Sequence, residues 1–164
     1  MGACAVIAMG LVSCADKFPV TFHMEGDGSD SSKMAFMLPI QGKPTKFVKA
    51  PFISNRDIES YRSFQDYKTG TYGAAFYLNA GAKNRYQAIS AENYGRLVIP
   101  MANSKPCEVF RINRSYENGI IFIYSGLTKE DMNLMKEVIE PHPKEKERMK
   151  FNDDQEREKV KKLS

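Results

Sequence analysis

Residues 71–99, TYGAAFYLNAGAKNRYQAISAENYGRLVI, predict a strand, a helix and a second strand in succession. Residues 71–78 are apolar and aromatic, which is typical of a buried strand. Asn79 can then cap a helix over residues 80–92. The apolar side chains of that helix recur on one face, at Ala82, Tyr86 and Ile89. We therefore expect this helix to lie against a sheet that contains both strands.

The exit of the helix is marked by Asn93 and Gly95, which can adopt the left-handed backbone conformation that such an exit requires. Arg96 follows, and its guanidinium can cover the free carbonyl groups of the last helical turn. A turn of this kind returns residues 97–101, a short apolar run, to the sheet.

Other parts of the chain alternate apolar and polar residues, or carry short apolar runs between turn signals. They predict strands at residues 18–25, 34–40, 46–52, 58–67, 108–113 and 120–124. We expect residues 42–44 to connect the second and third of these strands. Ser54 and Asp57 have the spacing of a capped short helical turn.

A second helix is predicted from Thr128, which can cap it together with Asp131, to about Ile139. Beyond it, residues 142–164 are dense in charge and poor in apolar side chains, so we expect a charged tail, either a frayed helix or disordered. The sequence thus predicts an α+β domain over residues 18–141, an antiparallel sheet with two main helices packed on it.

Four stretches occur in the order found in one protein family: ISNRDI at 53–58, AFYLN at 75–79, SAENYGRLVI at 90–99 and YSGLTKED at 124–131. Over about residues 53–132 the chain resembles the head subdomain of the first periplasmic region of SecD, a membrane protein that assists protein export. The resemblance implies a fold like that of the SecD periplasmic head. It also implies contact with polypeptides or with an export or envelope complex.

The N-terminal segment has a different character, because residues 1–13 carry no charged side chain. This apolar run is too short to cross a bilayer core of roughly 30 Å as a helix, but it suits the apolar region of a signal peptide. The sequence Leu11-Val12-Ser13-Cys14 resembles the lipobox of bacterial lipoproteins. An apolar N-terminal strand or helix packed on the domain is the alternative.

The lipobox resemblance implies that residues 1–13 are removed as a signal peptide and that Cys14 is lipidated. Residues 14–17 then form a lipid-anchored linker. The expected location is the periplasmic side of the bacterial cell envelope, with the lipid anchor holding the protein to a membrane.

Composition narrows the classes of ligand. A net charge of +4 over 164 residues is not the concentrated basic footprint of a nucleic-acid-binding protein, so no nucleic acid is expected as a partner. Cysteines occur at positions 4, 14 and 107, and processing at Cys14 would leave Cys107 alone, without a disulfide. The spacing of cysteine and histidine offers no metal site, and we predict no cofactor.

Two functional hypotheses remain. The first is a non-catalytic binding or scaffolding module with a protein or polypeptide partner; the sequence does not indicate a small-molecule ligand. Its candidate contact residues are the hairpin Asn103, Ser104, Lys105 and Pro106, because an edge strand can pair with an added strand. The alternative is a small envelope enzyme of unknown reaction, which would require a polar cleft joining His23, Cys107 or Arg111.

Overall fold

The computed structural model describes residues 19–27 and 34–163, except for the side chains of residue 153 and residues 155–163. The predicted signal peptide at 1–13, the lipidation site Cys14 and the linker 14–17 lie outside the described residues. Part of the loop between the first two strands, residues 28–33, does so too.

Within the described ranges the chain forms ten strands, three α-helices and one short 3₁₀ turn at Asn55–Asp57. The strands are β1 Val20–Met24, β2 Ala35–Ile40, β3 Lys43–Val48, β4 Ile53–Ser54, β5 Ile58–Gln65, β6 Tyr72–Leu78, β7 Leu97–Ala102, β8 Lys105–Pro106, β9 Phe110–Arg111 and β10 Ile120–Leu127. The helices are α1 Ala80–Glu92, α2 Lys129–Val138 and α3 Pro143–Leu163.

The strands form three antiparallel groups. The first sheet has the order β4–β1–β7–β8, with β9 also paired to β7. The second sheet has the order β10–β6–β5, and β2 pairs with β3 as a separate hairpin. The predicted α+β class is confirmed, with three antiparallel groups where one sheet was expected.

The core lies between the two larger sheets and helices α1 and α2. Phe22 of the first sheet meets Phe76 of the second edge to face, with ring centroids 6.0 Å apart. Tyr86 of α1 and Met135 of α2 are both buried in the same cluster. Each predicted helix therefore contributes apolar side chains to one common core.

Local capping explains why these two helices were predictable. Asn79 Oδ1 accepts a hydrogen bond of 2.9 Å from the amide of Ala82 at the start of α1. Thr128 and Asp131 form the reciprocal capping box of α2, in which each side chain accepts from the other residue's amide.

The exit of α1 differs from expectation at Asn93, whose φ of −114° is not left-handed. Asn93 instead closes the helix with its side chain, which donates to the carbonyl of Ile89 at 2.8 Å. Of the two residues, only Gly95, with φ of +86°, has a left-handed backbone conformation. Arg96 holds the Asn93 amide oxygen at 2.9 Å and does not bind the helix carbonyls directly.

The β2–β3 turn also differs from the prediction, in which residues 42–44 were the connection and the next strand began at residue 46. Gln41 and Gly42 have φ of 51° and 76°, and they form a two-residue turn of the type that joins tight hairpins. Pro44 consequently lies inside β3, opposite Pro39.

Helix α3, Pro143–Leu163, docks near its first turn, where the sequence predicts a frayed or disordered tail over residues 142–164. Glu145 is fully buried, and its carboxylate accepts a hydrogen bond of 2.6 Å from the Ser63 hydroxyl of β5. Arg148 pairs with Glu145 at 2.5 Å. Met149 of the same helix packs against the core, but the buried contacts of Glu145 are polar, so a count of apolar residues does not reveal this docking.

The chain leading into α3 also pairs with the edge of β5. The Tyr61 amide donates to the carbonyl of Glu140 at 3.1 Å, and the His142 amide donates to the carbonyl of Tyr61 at 2.8 Å. The His142 ring stacks on Tyr77 with centroids 4.4 Å apart. Among the residues described, no helix has both the length and the apolar character needed to cross a membrane.

Candidate functional site

A cavity of about 350 Å³ opens between the first sheet and the β2–β3 hairpin. We call it the His23 cavity. Its walls are formed by Thr21 and His23 of β1, Met101 of β7 and Phe36 of β2, and Pro19, Lys49 and Ser104 complete the rim. The volume lies within the range of small-ligand sites.

Strand alternation explains the floor of the cavity. Val20 and Phe22 point into the core, so Thr21 and His23 point to the opposite face of the first sheet. Met101 lies directly across from Thr21 on β7 and shares that face. The alternation is visible in the sequence, but the hairpin that covers this face is not.

His23 is 8% exposed, and both of its ring nitrogens are engaged. Nδ1 lies 3.0 Å from the carbonyl oxygen of Val48, which can only accept, so Nδ1 carries the proton. Nε2 then accepts from the Thr21 hydroxyl at 2.9 Å. Burial lowers the pKa of His23 below 6.5, which keeps the ring neutral at pH 7.

The rim on the β7 side is the turn of the predicted contact hairpin. Asn103 and Ser104 have φ of 50° and 62°, both left-handed, and they join Ala102 to Lys105 in a two-residue turn. Ser104 lines the His23 cavity, whereas Lys105 and Pro106 are exposed and do not line it. The structure thus brings one of the four predicted contact residues beside His23.

The β8 side of this hairpin has few backbone groups to offer an added strand. The amide of Cys107 donates to the Pro100 carbonyl of β7 at 2.9 Å, so Cys107 and Pro100 form a hydrogen-bonded pair. The backbone groups of the preceding residue, Pro106, therefore point away from β7. Proline has no amide proton to give there.

Cys107 lies in a different environment from His23. Its side chain packs against the core cluster and its backbone approaches Gly126 of β10. Burial raises the pKa of the Cys107 thiol to about 11, and the nearby charge of Asp131 acts in the same direction. The thiol is therefore protonated at neutral pH and is a poor nucleophile.

Arg111 binds the turn that follows α1. It is exposed on β9, and its guanidinium donates to the carbonyl oxygen of Gly95. Neither Arg111 nor Cys107 lines the His23 cavity, so the cleft required by the enzyme alternative is not formed by the described residues. Within the same part of the chain, no cluster of three or more His, Cys, Asp or Glu side chains could hold a metal ion.

The arrangement of strands and helices is shared with solved structures. The chain has a SecDF-like fold. It superposes on SecDF, described as a membrane component that enhances protein export, with a TM-score of 0.53 and 10% identity, covering 73% of this chain and 60% of that one. A crystal structure of SecDF in a super-membrane-facing form gives a TM-score of 0.54 at 10% identity, covering 76% of this chain and 19% of that one.

The chain therefore spans less than two thirds of either SecDF chain. At this identity the likeness extends to the fold alone, and it confirms at that level the resemblance carried by residues 53–132. No protein-family model matches the sequence, and no curated protein matches it.

Proposed function

We propose that the chain is a non-catalytic module of the bacterial cell envelope that binds extended polypeptide, anchored by lipid at Cys14 on the periplasmic side of a membrane. The observation that carries the binding role is the His23 cavity, an open site of about 350 Å³ between the first sheet and the β2–β3 hairpin. Phe36 and Met101 offer apolar surface there, and Ser104 and Lys49 offer polar groups at the rim.

This combination suits an apolar side chain presented by a flexible chain. Met side chains are flexible and adapt to ligands of varied shape, and the aromatic ring of Phe36 gives a fixed wall. The SecDF-like fold supports the same assignment, because SecDF is described as enhancing protein export.

A non-catalytic role is supported by the state of the candidate reactive groups. Both His23 nitrogens are hydrogen-bonded within the fold, and the pKa of Cys107 is raised to about 11. Neither group is available as a base or nucleophile at neutral pH.

The binding role is tested with fluorescein-labelled, reduced and carboxymethylated α-lactalbumin, which stays unfolded, and the full chain carrying Cys14→Ser. Fluorescence anisotropy is expected to show saturable binding of this probe and none of native α-lactalbumin. Met101→Trp, which fills the cavity, is expected to weaken binding roughly tenfold.

The matched control is Tyr67→Trp, because Tyr67 is 87% exposed and does not line the cavity. This variant should bind as the parent does. Equal binding by both tryptophan variants would rule out the cavity as the contact site, and absence of binding by the parent would contradict the function itself.

The anchor is tested on protein purified from its own host. Mass spectrometry is expected to give a mature N-terminus at Cys14 that carries acyl mass, and Cys14→Ala should leave the chain unacylated and outside the membrane fraction. An intact, unacylated N-terminus at Met1 would contradict this part of the proposal.

A further inference from the structure

The outer edge of β2 carries backbone groups whose direction follows from the hairpin geometry. In a two-residue turn the closing residues, Ile40 and Lys43, form a hydrogen-bonded pair, and such pairs then alternate along the strands. The Lys49 amide donates to the Met34 carbonyl at 2.8 Å, as expected if Met34 and Lys49 form one of these hydrogen-bonded pairs. The backbone N–H groups of Ala35 and Met37 and the carbonyls of Ala35, Met37 and Pro39 therefore point away from β3, and of these three residues Met37 and Pro39 are exposed whereas Ala35 is buried.

The corresponding outward groups of β3 have partners. The Gly26 amide donates to the Lys46 carbonyl at 2.8 Å, and the His23 ring donates to the Val48 carbonyl at 3.0 Å. For β2, the described residues provide no strand on the outer side, since β2 and β3 form a two-stranded sheet. One edge of the hairpin is thus joined to β1, and the other, which we call the open edge, has no strand partner among the described residues.

The composition of β2 is unusual for an open edge. Natural edge strands are commonly protected by charged side chains or proline. β2, with the sequence AFMLPI, has no charge, and its only protecting residue is Pro39 near the turn. Met37 is 55% exposed and Met34, just before the strand, is 64% exposed, so flexible apolar side chains lie beside the outward amide of Met37.

We propose that the open edge of β2 binds an extended polypeptide as an added strand. This inference rests on the proposed function and assigns its binding mode. A row of backbone donors and acceptors is complementary to another backbone in extended form, and recognition by strand addition uses main-chain hydrogen bonds irrespective of sequence. The donor is the amide of Met37, and the acceptors are the carbonyls of Met37 and Pro39, since Ala35 is only 7% exposed.

The position of Phe36 connects this edge to the cavity. Phe36 lies between Ala35 and Met37, and its ring faces His23, with centroids 5.3 Å apart. The same short strand thus presents outward amides on its edge and a cavity wall on its face. A polypeptide paired with β2 passes beside the cavity that receives its apolar side chain.

The decisive variant is Met37→Pro, compared with Met37→Ala. Proline removes the outward amide proton and places its ring on the open edge, while the hydrogen bonds between β2 and β3 use other residues. Pro39 and Pro44 already occupy the equivalent kind of position in this hairpin. Alanine removes the methionine side chain but keeps the amide.

With the carboxymethylated α-lactalbumin probe, Met37→Pro is expected to weaken binding about tenfold or more, and Met37→Ala less than about threefold. Circular dichroism and thermal unfolding verify that both variants remain folded. Amide hydrogen exchange by NMR provides a second readout, in which the probe should slow the exchange of the Met37 amide while Phe36 and Leu38 change little.

Three results would overturn the inference. They are equal weakening by the proline and alanine variants, retained binding by Met37→Pro, or a dimer of the parent chain that Met37→Pro dissociates, since the edge would then serve self-association. The proposed function survives the first two, because the parent still binds the probe in both.

Discussion

The left-handed residues of the two tight hairpins show how single side chains set local stability. Gly42 occupies the second turn position of the β2–β3 hairpin, while Ser104 occupies the same position between β7 and β8 with φ of 62°. A side chain in this conformation costs roughly 1–2 kcal/mol relative to glycine. The strained residue lies on the rim of the His23 cavity.

We predict that Ser104→Gly stabilises the protein by about 0.5–1 kcal/mol, because relief of strain exceeds the added entropy of the unfolded chain. Urea unfolding at pH 7 measures the change. Ser115→Gly is the control: Ser115 is exposed and is not among the residues with positive φ, so glycine there should destabilise by a few tenths of a kcal/mol or more. Equal effects of the two substitutions would contradict the strain argument.

At the His23 cavity, the sequence predicts the position of only some of the residues. Alternation in β1 is enough to assign His23 to a polar face, but its partner Val48 is 25 positions away and belongs to the covering hairpin. Phe36, Lys49 and Met101 were not predicted as site residues. No local pattern identifies them, because the cavity exists only once the hairpin lies over the first sheet.

At the scale of elements, caps and turns made α1 and α2 predictable, whereas α3 depends on distant contacts. Ser63 and Glu145 are 82 positions apart, and both are buried. Among the described residues the second carboxylate oxygen of Glu145 has no hydrogen-bond partner, nor does the buried hydroxyl of Tyr61. The docking is therefore incomplete in its hydrogen bonding and limited in strength.

We predict that Glu145→Ala weakens the docking of α3 by about 1–2 kcal/mol, because Ser63 and Arg148 lose their common acceptor. Limited trypsin digestion should then cleave within residues 144–150 roughly tenfold faster. Glu147→Ala changes an exposed neighbour on the same helix and should leave the rate unchanged. Similar rates for the two variants would show that the helix docks without the Glu145 carboxylate.

For the whole molecule, the fold class was predictable from the sequence, but the way in which the strands are divided was not. The SecDF-like architecture was predicted from the resemblance of the motifs over residues 53–132 to the SecD head, whereas the caps, turns and apolar runs predicted only the individual elements. The separation of β8 from β9 was not predicted. It follows from Pro100 in the adjoining strand β7, which has no amide to offer the facing chain near Cys107.

The stability of the whole fold should depend on the protonation of His23. Because the folded-state pKa lies below 6.5, the unfolded chain binds a proton first as the pH falls. The contribution of neutral His23 to the free energy of unfolding is thus complete above about pH 6.5. It is lost as the pH decreases towards the folded-state pKa. We predict that the urea midpoint is lower at pH 5 than at pH 7, and that His23→Gln reduces this difference.

His142→Gln provides the comparison, since the His142 ring lies on Tyr77, away from the cavity lining. This variant should keep the pH dependence of the parent. If His23→Gln and the parent lose equal stability between pH 7 and pH 5, then another group controls the transition.

Pro39 has a further consequence for a protein that would be crowded onto a membrane surface. Fibril growth requires identical strands to stack in register with every layer fully bonded. A stack of β2 strands would meet a missing donor in each layer, at Pro39. If the edge binds one guest chain as proposed, Pro39 still disfavours the repeated stacking of β2 strands into a fibril.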